Sequence, residues 1–387
     1  MHSATRWRCW TPEMGRTVGL LRMSEHPGER RDFLPRLVRS LARLGADEIV
    51  LETGYGQGLG LAPEAYTSEG DVRFAERDEV FAEDVVLVLR CPPDADLGKL
   101  RPGSTLVSML HYVTRPTRNE LLRDRGVVAV SLDAVTDDRG RRMIENLEIT
   151  AWAGVEAAFR ELALRWAAFD EPGRAPIRVT LLGSGALGAH AMHAATRYGN
   201  HDVRNALHRA GIPGVEVAVI DHDLSWHEEY MLGRLHASDL LMDATMRPDP
   251  SVPVVPNGWL AVMPSHAVLL DLAADPYDGA TDPPTVKGLE GVPHGSLAQH
   301  VFEEDDPAWD IEEAIADSRV RRTALSCNAW PGLRPTESME RYGEQVEDVL
   351  EVVLAVPEPD WDRASRHLRV RAVARAELER WTAAHER

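Results

Sequence analysis

The chain has 387 residues, of which 44% are hydrophobic and 27% charged, so it is long enough for two globular domains of ordinary composition. Its formal net charge of −19 at pH 7 disfavours nucleic acid and anionic membranes as partners, and no apolar run is long enough to span a bilayer. The three cysteines, Cys9, Cys91 and Cys327, have neither disulfide nor metal-ligand spacing, which fits a reducing cytoplasm. We therefore expect a cytoplasmic protein that binds no metal and acts on a small molecule.

Short apolar runs alternate with stretches of helical periodicity along the chain. The runs that predict strands cover residues 17–21, 48–52, 85–89, 105–110, 127–132, 179–182, 215–220, 239–243 and 268–272. The helical stretches cover residues 37–44, 115–124, 148–169, 186–199, 200–214, 336–354 and 361–387. This alternation predicts an α/β fold with mostly parallel sheets covered by helices on both faces.

One stretch, VTLLGSGALGAHAMHAATRYG at residues 179–199, combines an apolar run, three closely spaced glycines and an Ala-rich helical segment. This order of strand, tight turn and helix is the context in which G-x-G-x-x-G indicates dinucleotide binding, although a glycine-rich turn also occurs in other α/β proteins. Gly183 would permit the tight turn, Gly185 would let a pyrophosphate approach the backbone, and Gly188 would let the helix pack close to the strand.

The helix that follows and the next strand supply the other contacts that a dinucleotide needs. The first N–H groups of the helix can bind phosphate oxygens. Asp221 follows the strand at 215–220, where its carboxylate would accept the ribose hydroxyls. Its neighbours His222 and Asp223 supply no arginine for a 2′-phosphate, so NAD is favoured over NADP. We assign cofactor binding in this region to Gly183, Ser184, Gly185, Ala186, Leu187, Gly188 and Asp221.

Polar side chains follow three predicted strands of the first half of the chain, at the ends where ligands bind to parallel sheets. Arg30 and Arg31 lie in the loop after the first strand, where a guanidinium would either hold a carboxylate or be solvated. Arg90 directly follows the apolar run VVLVL. His111 follows TLVSML, and an imidazole there suits either acid–base catalysis or a structural hydrogen bond.

In the second half, Asp271 and Asp275 follow a predicted strand in LLDLAADPYD. Either carboxylate would face a ligand, or Asp271 would cap or pair locally. Of the 43 basic residues, only Lys99 and Lys287 are lysine. Because arginine binds anions but does not easily act as a base, any lysine chemistry must use one of these two positions.

Together these positions resemble the alanine dehydrogenase, saccharopine dehydrogenase and transhydrogenase-like superfamily over residues 17 to about 354. The loop HPGERRDFLP is similar to that family's E-x-R-V-A-L-T-P loop. The position of Pro35 places Arg30 on the family's substrate-carboxylate arginine, with Arg31 close enough to compete. LETGYGQGLGL is similar to the family's ETGAG segment, and SMLHYV places His111 on its catalytic histidine.

Two later segments extend the resemblance. LLDLAADPYD resembles the family's V-D-V-A-x-D segment, which places Asp275 on its active-site aspartate. CNAWPGLRPTES resembles N-M-P-G-x-x-P-R-T-S, with Trp330, Pro331 and Gly332 in register and the asparagine displaced by one, to Asn328. On this resemblance we assign Trp330 to cofactor binding.

The main departure from the family is Arg90, which stands where the family has the lysine of V-K-E-P. In the family that lysine contacts the substrate carbonyl and shares the acid–base work. Arginine can polarise a carbonyl or bind a carboxylate but does not relay a proton, so the departure indicates altered substrate or chemistry. A second departure is KGLEGVPHGSLAQHVF at residues 287–302, which has no clear family counterpart. Its Lys287, His294 and His300 would remodel the ligand pocket, but we prefer a plain surface insertion.

The resemblance implies two Rossmann-like doubly wound domains flanking a cleft. Residues 1–150 plus 331–387 would form the substrate domain, and residues 151–330 would bind NAD. The implied reaction is NAD-dependent redox chemistry at the C–N bond of an amino acid or its 2-oxo acid, as in alanine dehydrogenases or opine-forming enzymes. Relatives of this kind range from monomers to hexamers, so a homo-oligomer is compatible with the sequence.

In this reading Arg30, or its neighbour Arg31, holds the substrate carboxylate. Arg90 polarises the reacting group, His111 moves the proton, and Asp275 orients the amine or a water. Two alternatives stay open because of Arg90. One is an NAD-dependent non-redox lyase or cyclodeaminase, and the other is an NAD-binding sensor without catalysis.

Overall fold

The computed structural model describes residues 15–23 and 26–385, which form two compact units. Unit 1 combines Met1–Glu145 with Pro335–Arg387, and unit 2 is Asn146–Arg334. Cys9 lies outside the described residues, whereas Cys91 and Cys327 are buried and are not joined by a disulfide. Among the helices of the described residues, none is both long and apolar enough to cross a membrane.

Unit 1 contains one sheet of six parallel strands in the order β3-β2-β1-β4-β5-β6. The strands are β1 (Thr17–Leu20), β2 (Glu48–Glu52), β3 (Arg73–Ala75), β4 (Val85–Arg90), β5 (Thr105–Met109) and β6 (Val128–Ser131). The helices between them are α1 (Arg36–Leu44), α2 (Pro63–Thr67), α3 (Arg77–Phe81), α4 (Asp94–Leu97) and α5 (Pro116–Asp124). Because β2 and β4 lie on opposite sides of β1, the winding reverses there, and the carboxyl ends of β1 and β4 form the expected ligand-binding edge.

Unit 2 contains a second sheet in the order β11-β12-β10-β9-β7-β8, with only β11 antiparallel. Its strands are β7 (Ile177–Leu182), β8 (Val215–Ile220), β9 (Leu240–Asp243), β10 (Val268–Asp271), β11 (Val301–Phe302) and β12 (Thr323–Ser326). Its helices are α6 (Leu147–Arg165), α7 (Ala186–Ala195), α8 (His201–Arg209), α9 (His222–Ser225) and α10 (Glu228–His236). Residues of α6 and α7 pack on one face of this sheet, and Met231 and Leu235 of α10 pack on the other, so both units are Rossmann-like.

The chain then returns to unit 1 with α11 (Pro335–Ala355), α12 (Leu368–Ala376) and α13 (Leu378–His385). Buried side chains of α11, among them Met339 and Val346, join the core that contains the strands of unit 1. Polar contacts fix the packing: the Ser40 hydroxyl of α1 donates to Glu347 of α11 at 2.6 Å, and the Tyr112 hydroxyl donates to the Ala376 carbonyl of α12 at 3.0 Å.

All predicted strands are present within two residues of their predicted ends. Three strands, β3, β11 and β12, have no counterpart in the prediction, since runs of three, two and four residues carry too little periodicity. The stretch 361–387, predicted as one helix, forms α12 and α13. They are separated at Glu377, whose backbone is extended (φ −77°, ψ 135°) and whose carboxylate accepts from the Glu379 N–H at 3.0 Å.

The prediction of a surface insertion for residues 287–302 is wrong. Lys287 is 1% exposed, and Leu289 and Val292 belong to the core of unit 2. The segment ends in β11, which pairs with β12. The lysine ammonium donates to Asp271 at 2.5 Å and to the Ser326 hydroxyl at 3.2 Å, so the segment covers the sheet and neutralises a buried carboxylate.

Replacing Lys287 with Ala is expected to destabilise unit 2 by about 3–5 kcal/mol, because it leaves the buried Asp271 carboxylate without its counter-ion. Denaturant unfolding followed by circular dichroism measures this change. Lys99→Ala, which changes the only other lysine and removes exposed ion pairs to Asp78 and Asp96, is the matched control and should unfold like the wild type. Equal stability of the two variants would contradict the assignment.

Candidate functional site

The glycine turn between β7 and α7 has the geometry of a phosphate-binding loop. Gly183 has φ +94°, and a Cβ on it would lie 2.8 Å from the Ala244 carbonyl oxygen, so only glycine fits this turn. A Cβ on Gly188 would lie 2.1 Å from the Gly183 carbonyl oxygen, so this glycine allows α7 to approach the strand. A Cβ on Gly185 would meet none of the described residues within 4 Å, which leaves room for a ligand at the amino terminus of α7.

The residues around this turn provide donors and one ionised acceptor. Among the described residues, no side chain caps the amino terminus of α7, so its backbone N–H groups can face a phosphate. The half-exposed Asp221 carboxylate at the end of β8 accepts hydrogen bonds from the Ser184 hydroxyl and from the His222 N–H at 2.7 Å. These bonds, the one from Ser184 above all, lower the pKa of Asp221 to about 2. A carboxylate ionised at neutral pH suits ribose hydroxyls and repels a 2′-phosphate.

Three polar residues end adjacent strands beside this turn. Asp243 of β9, Asp271 of β10 and Ser326 of β12 are paired in register across the sheet. Burial alone would raise the pKa of Asp271. The charge of the Lys287 ammonium and the hydrogen bonds to the carboxylate outweigh burial and hold this pKa below its usual range. For Asp243, burial and the charge of Asp271 raise the pKa to about 6, and its Oδ2 has no hydrogen-bond partner among the described residues.

Asp275 lies just beyond this row of residues. Its carboxylate accepts from the Arg247 guanidinium at 2.8 Å and is 37% exposed. The preceding residue, Ala274, has φ +56°, a conformation that non-glycine residues adopt rarely. The Ala274 N–H donates to Asp271 at 2.7 Å, so the buried carboxylate holds the strained turn that presents Asp275.

Trp330, assigned to cofactor binding, lies in the core of unit 2 and is 2% exposed. Its indole N–H donates to the Asp271 carbonyl oxygen at 2.9 Å. The residue therefore supports the same end of β10 rather than presenting a surface to solvent.

In unit 1, two arginines converge on one carboxylate beside the ends of β1 and β4. Arg31 is 3% exposed and donates two hydrogen bonds to Glu29, from Nε at 2.8 Å and from a terminal nitrogen at 2.7 Å. Arg90, the last residue of β4, lies 3.5 Å from the same carboxylate. Burial would raise the pKa of Glu29, but the hydrogen bonds and charge of Arg31, together with the charge of Arg90, lower it to about 2.

Arg30, the other predicted carboxylate-binding residue, is exposed. Its backbone packs on Gly58 of the glycine-rich segment, where a Cβ would lie 2.6 Å from the Arg30 carbonyl oxygen. The side chains that share Glu29 are thus those of Arg31 and Arg90. The spacing E-x-R identifies Arg31 directly, whereas counting back from Pro35 identifies Arg30.

His111 follows β5, the strand next to β4, and pairs with Asp133 after β6. The His111 Nδ1 lies 3.5 Å from the Asp133 carboxylate, and the His111 N–H donates to the same group at 3.2 Å. Burial would raise the pKa of Asp133, but the hydrogen bonds from His111 and Ser131 hold it well below the usual range. His111 itself has φ +55°, and its side chain is 52% exposed. This pair can orient an accessible imidazole for proton transfer.

The sequence reasoning missed four residues of these arrangements: Glu29, Asp133, Asp243 and Arg247. Asp243 and Asp133 stand at or just after predicted strands, so the strand-end rule that found Arg90 and His111 would also have found them. Glu29 is the glutamate of the E-x-R spacing, so that spacing would have found it. Arg247 has no such signal, because only tertiary contacts bring it to Asp275.

Gly188→Ala is expected to destabilise unit 2 by about 1–3 kcal/mol, because its methyl group would collide with the Gly183 carbonyl. Gly185→Ala is the matched control, since its methyl group has open space and the backbone (φ −68°) accepts alanine. It should keep the wild-type midpoint of thermal unfolding but weaken dinucleotide binding measured by calorimetry. Equal binding by Gly185→Ala and wild type would contradict a role for this turn in phosphate contact.

Asp243→Asn tests the buried acid. Because the folded-state pKa of Asp243 is raised from 3.8 to about 6, its contribution to stability is present below pH 4 and is lost as the pH rises through 6. The amide cannot ionise, so the variant should gain on the order of 2–3 kcal/mol relative to wild type between pH 4 and pH 8. Urea unfolding of both proteins across this range measures the difference. A difference that is constant with pH would show that the group does not titrate there.

Comparison with known proteins gives consistent results for sequence and fold. Residues 23–151 match the family model described as alanine dehydrogenase/PNT, N-terminal domain. An alanine dehydrogenase of Mycobacterium tuberculosis (strain CDC 1551 / Oshkosh) is 24% identical over 284 residues, which are 67% of this chain and 72% of the relative. The alanine dehydrogenase of Bacillus subtilis (strain 168) is 27% identical over 164 residues, 39% of this chain and 42% of the relative.

Solved structures share the fold along nearly the whole chain. An L-alanine dehydrogenase structure superposes with a TM-score of 0.64 at 18% identity, covering 93% of this chain and 94% of that one. A transhydrogenase from Sinorhizobium meliloti superposes with a TM-score of 0.62 at 14% identity, covering 93% and 96%. The family model and the sequence relatives support the resemblance to the alanine dehydrogenase/transhydrogenase-like superfamily. The solved structures show that the chain shares the fold of these proteins.

Proposed function

We propose that the protein is an NAD(H)-dependent oxidoreductase that acts on the C–N bond of an amino acid or of the corresponding 2-oxo acid or imine. The observation that carries the proposal is the grouping at the strand ends of unit 1. There the buried Arg31 and the partly buried Arg90 share one carboxylate, and an accessible histidine with a carboxylate partner follows the neighbouring strand. The named sequence relatives, which are alanine dehydrogenases, support the same reaction class.

The residues of unit 2 fit NAD. The turn at Gly183–Gly188 and the amino terminus of α7 would bind the pyrophosphate, and Asp221 would accept the adenosine ribose hydroxyls. When bound, NAD supplies the acceptor or donor of a hydride. The ionised Asp221 carboxylate supports NAD over NADP, because it would repel a 2′-phosphate.

The residues of unit 1 would bind the substrate and move its proton. Arg31 would hold the substrate carboxylate with its planar guanidinium, which is already oriented by Glu29. Arg90 would polarise the reacting carbonyl or imine without relaying a proton. His111, held by Asp133, would deliver or remove the proton at the reacting nitrogen or oxygen. Asp275 of unit 2 would orient the amine or the attacking water.

The test is absorbance at 340 nm in both reaction directions. NADH oxidation is followed with a panel of 2-oxo acids together with ammonium or amino acids. NAD reduction is followed with amino acids alone. We expect turnover with one substrate pair. His111→Ala should lower kcat by about 100-fold or more, because it removes the acid–base group. Arg31→Gln should raise KM by about tenfold or more. Arg31→Lys should raise KM less than Arg31→Gln does but should not reach the wild-type value, because lysine keeps the charge but not the two-point contact.

Arg30→Gln removes the same charge from the adjacent exposed residue and is the matched control for Arg31. Its KM should stay near that of the wild type, and a larger effect at Arg30 than at Arg31 would reverse the assignment.

Arg90 also motivates a non-redox lyase or cyclodeaminase reaction. Substrate turnover with NAD bound but without net NADH would establish that reaction class and contradict the dehydrogenase proposal.

A further inference from the structure

A cavity within unit 1 lies beside Asp133, the partner of His111. It has a volume of about 400 Å³, which is in the range of small-molecule sites. Asp133 lines it, as do Tyr112 and Val113, the two residues that directly follow His111. The cavity therefore adjoins the histidine to which the proposed function assigns proton transfer.

Positive charge dominates the lining of this cavity. Arg142, Arg363 and Arg375 line it, against the single carboxylate of Asp133, which already accepts from Ser131 at 2.7 Å and from the His111 N–H. Arg375 donates to Asp138 at 2.7 Å, so its charge is compensated. Within the described part of the chain, no carboxylate forms an ion pair with Arg142 or Arg363, so two guanidinium groups are available to an anion.

The cavity also has an apolar wall. Trp381 of α13 packs against Tyr112 with ring centroids 5.1 Å apart and stacks on His385 at 4.3 Å. All three rings line the cavity. Such a wall suits the methylene chain of a ligand whose anionic end contacts the arginines.

The cavity and the arginine pair at Glu29 lie at the same edge of the unit 1 sheet. Arg90 ends β4, and His111 and Asp133 follow β5 and β6, the next two strands in the sheet. Because these strands are parallel, their carboxyl ends share one edge. A ligand with two carboxylates has a candidate partner for each end in this part of unit 1.

We propose that the Arg142–Arg363 cavity binds a second carboxylate of the substrate, so that the enzyme acts on dicarboxylic or opine-type amino acids rather than on alanine. The inference rests on the proposed function, because it uses Arg31 for the first carboxylate and His111 for the proton. It narrows the substrate class to molecules in which an apolar linker separates two carboxylates.

Binding tests the cavity independently of turnover. Calorimetry with NAD-loaded protein compares the dicarboxylates succinate, glutarate and adipate with butyrate, which has one carboxylate. We expect at least one dicarboxylate to bind about tenfold more tightly than butyrate, because each charge-assisted contact adds affinity. The double variant Arg142→Gln/Arg363→Gln should abolish this difference. The same difference in variant and wild type would overturn the proposal.

Arg139→Gln is the control, since Arg139 is exposed in the same loop and does not line the cavity. Dicarboxylate binding should be unchanged in it, and thermal unfolding verifies that all variants fold. If the dicarboxylate instead binds without displacing the substrate, the cavity holds a separate anionic effector and the substrate assignment is wrong.

Turnover separates failure of this inference from failure of the proposed function. With NADH and ammonium, kcat/KM for 2-oxoglutarate should exceed that for pyruvate, and Arg142→Gln should raise KM for 2-oxoglutarate by about tenfold while leaving pyruvate unchanged. If the enzyme turns over pyruvate but not 2-oxoglutarate, and Arg142→Gln has no effect, the proposed function is supported and the second carboxylate site is contradicted. If dicarboxylates bind in a way that depends on Arg142 and Arg363 but no redox turnover occurs, binding at the cavity is supported and the proposed function is contradicted.

Discussion

Buried or partly buried carboxylates that accept hydrogen bonds from backbone N–H groups hold the loops at the strand ends. Glu29 accepts from the N–H groups of Arg30 and Arg31 in the loop after β1, and Asp133 accepts from that of His111 after β5. Asp271 accepts from Ala274 after β10. Each carboxylate also binds a charged or polar side chain, so one group fixes both the shape of a loop and the orientation of a candidate functional residue.

These contacts explain how two strained backbone positions persist. His111 and Ala274 both have positive φ, at +55° and +56°, which costs of the order of 1–3 kcal/mol each. Both donate their N–H to a carboxylate, and both lie at or next to a residue with a proposed role in catalysis. Lys287 extends this arrangement in unit 2, because its ammonium keeps Asp271 ionised in the protein interior. The strain and the buried charges are thus concentrated where loops present side chains to a ligand.

The substitution of arginine for the family lysine at position 90 changes the chemistry available to unit 1 rather than its charge. Arg90 and Arg31 place two positive charges around Glu29, and arginine keeps its charge at any physiological pH. In the proposed function, proton transfer therefore falls to His111. Arg142 and Arg363 add two further guanidinium groups beside Asp133, and the proposed second carboxylate site uses them.

The sequence alone determined the α/β class, nine of the twelve strands in the described part of the chain and the glycine turn, because apolar runs, helical periodicity and glycine spacing are local properties. It also located Arg90 and His111, since side chains after parallel strands share one edge. Tertiary structure decided which arginine of the pair at 30–31 is buried, since burial depends on packing that exists only in the folded chain. Only the tertiary structure also shows that residues 287–302 are largely packed into unit 2, because no periodicity in this segment predicts a buried lysine. Ion pairs between residues distant in sequence leave no pattern along the chain, so only the folded structure reveals them.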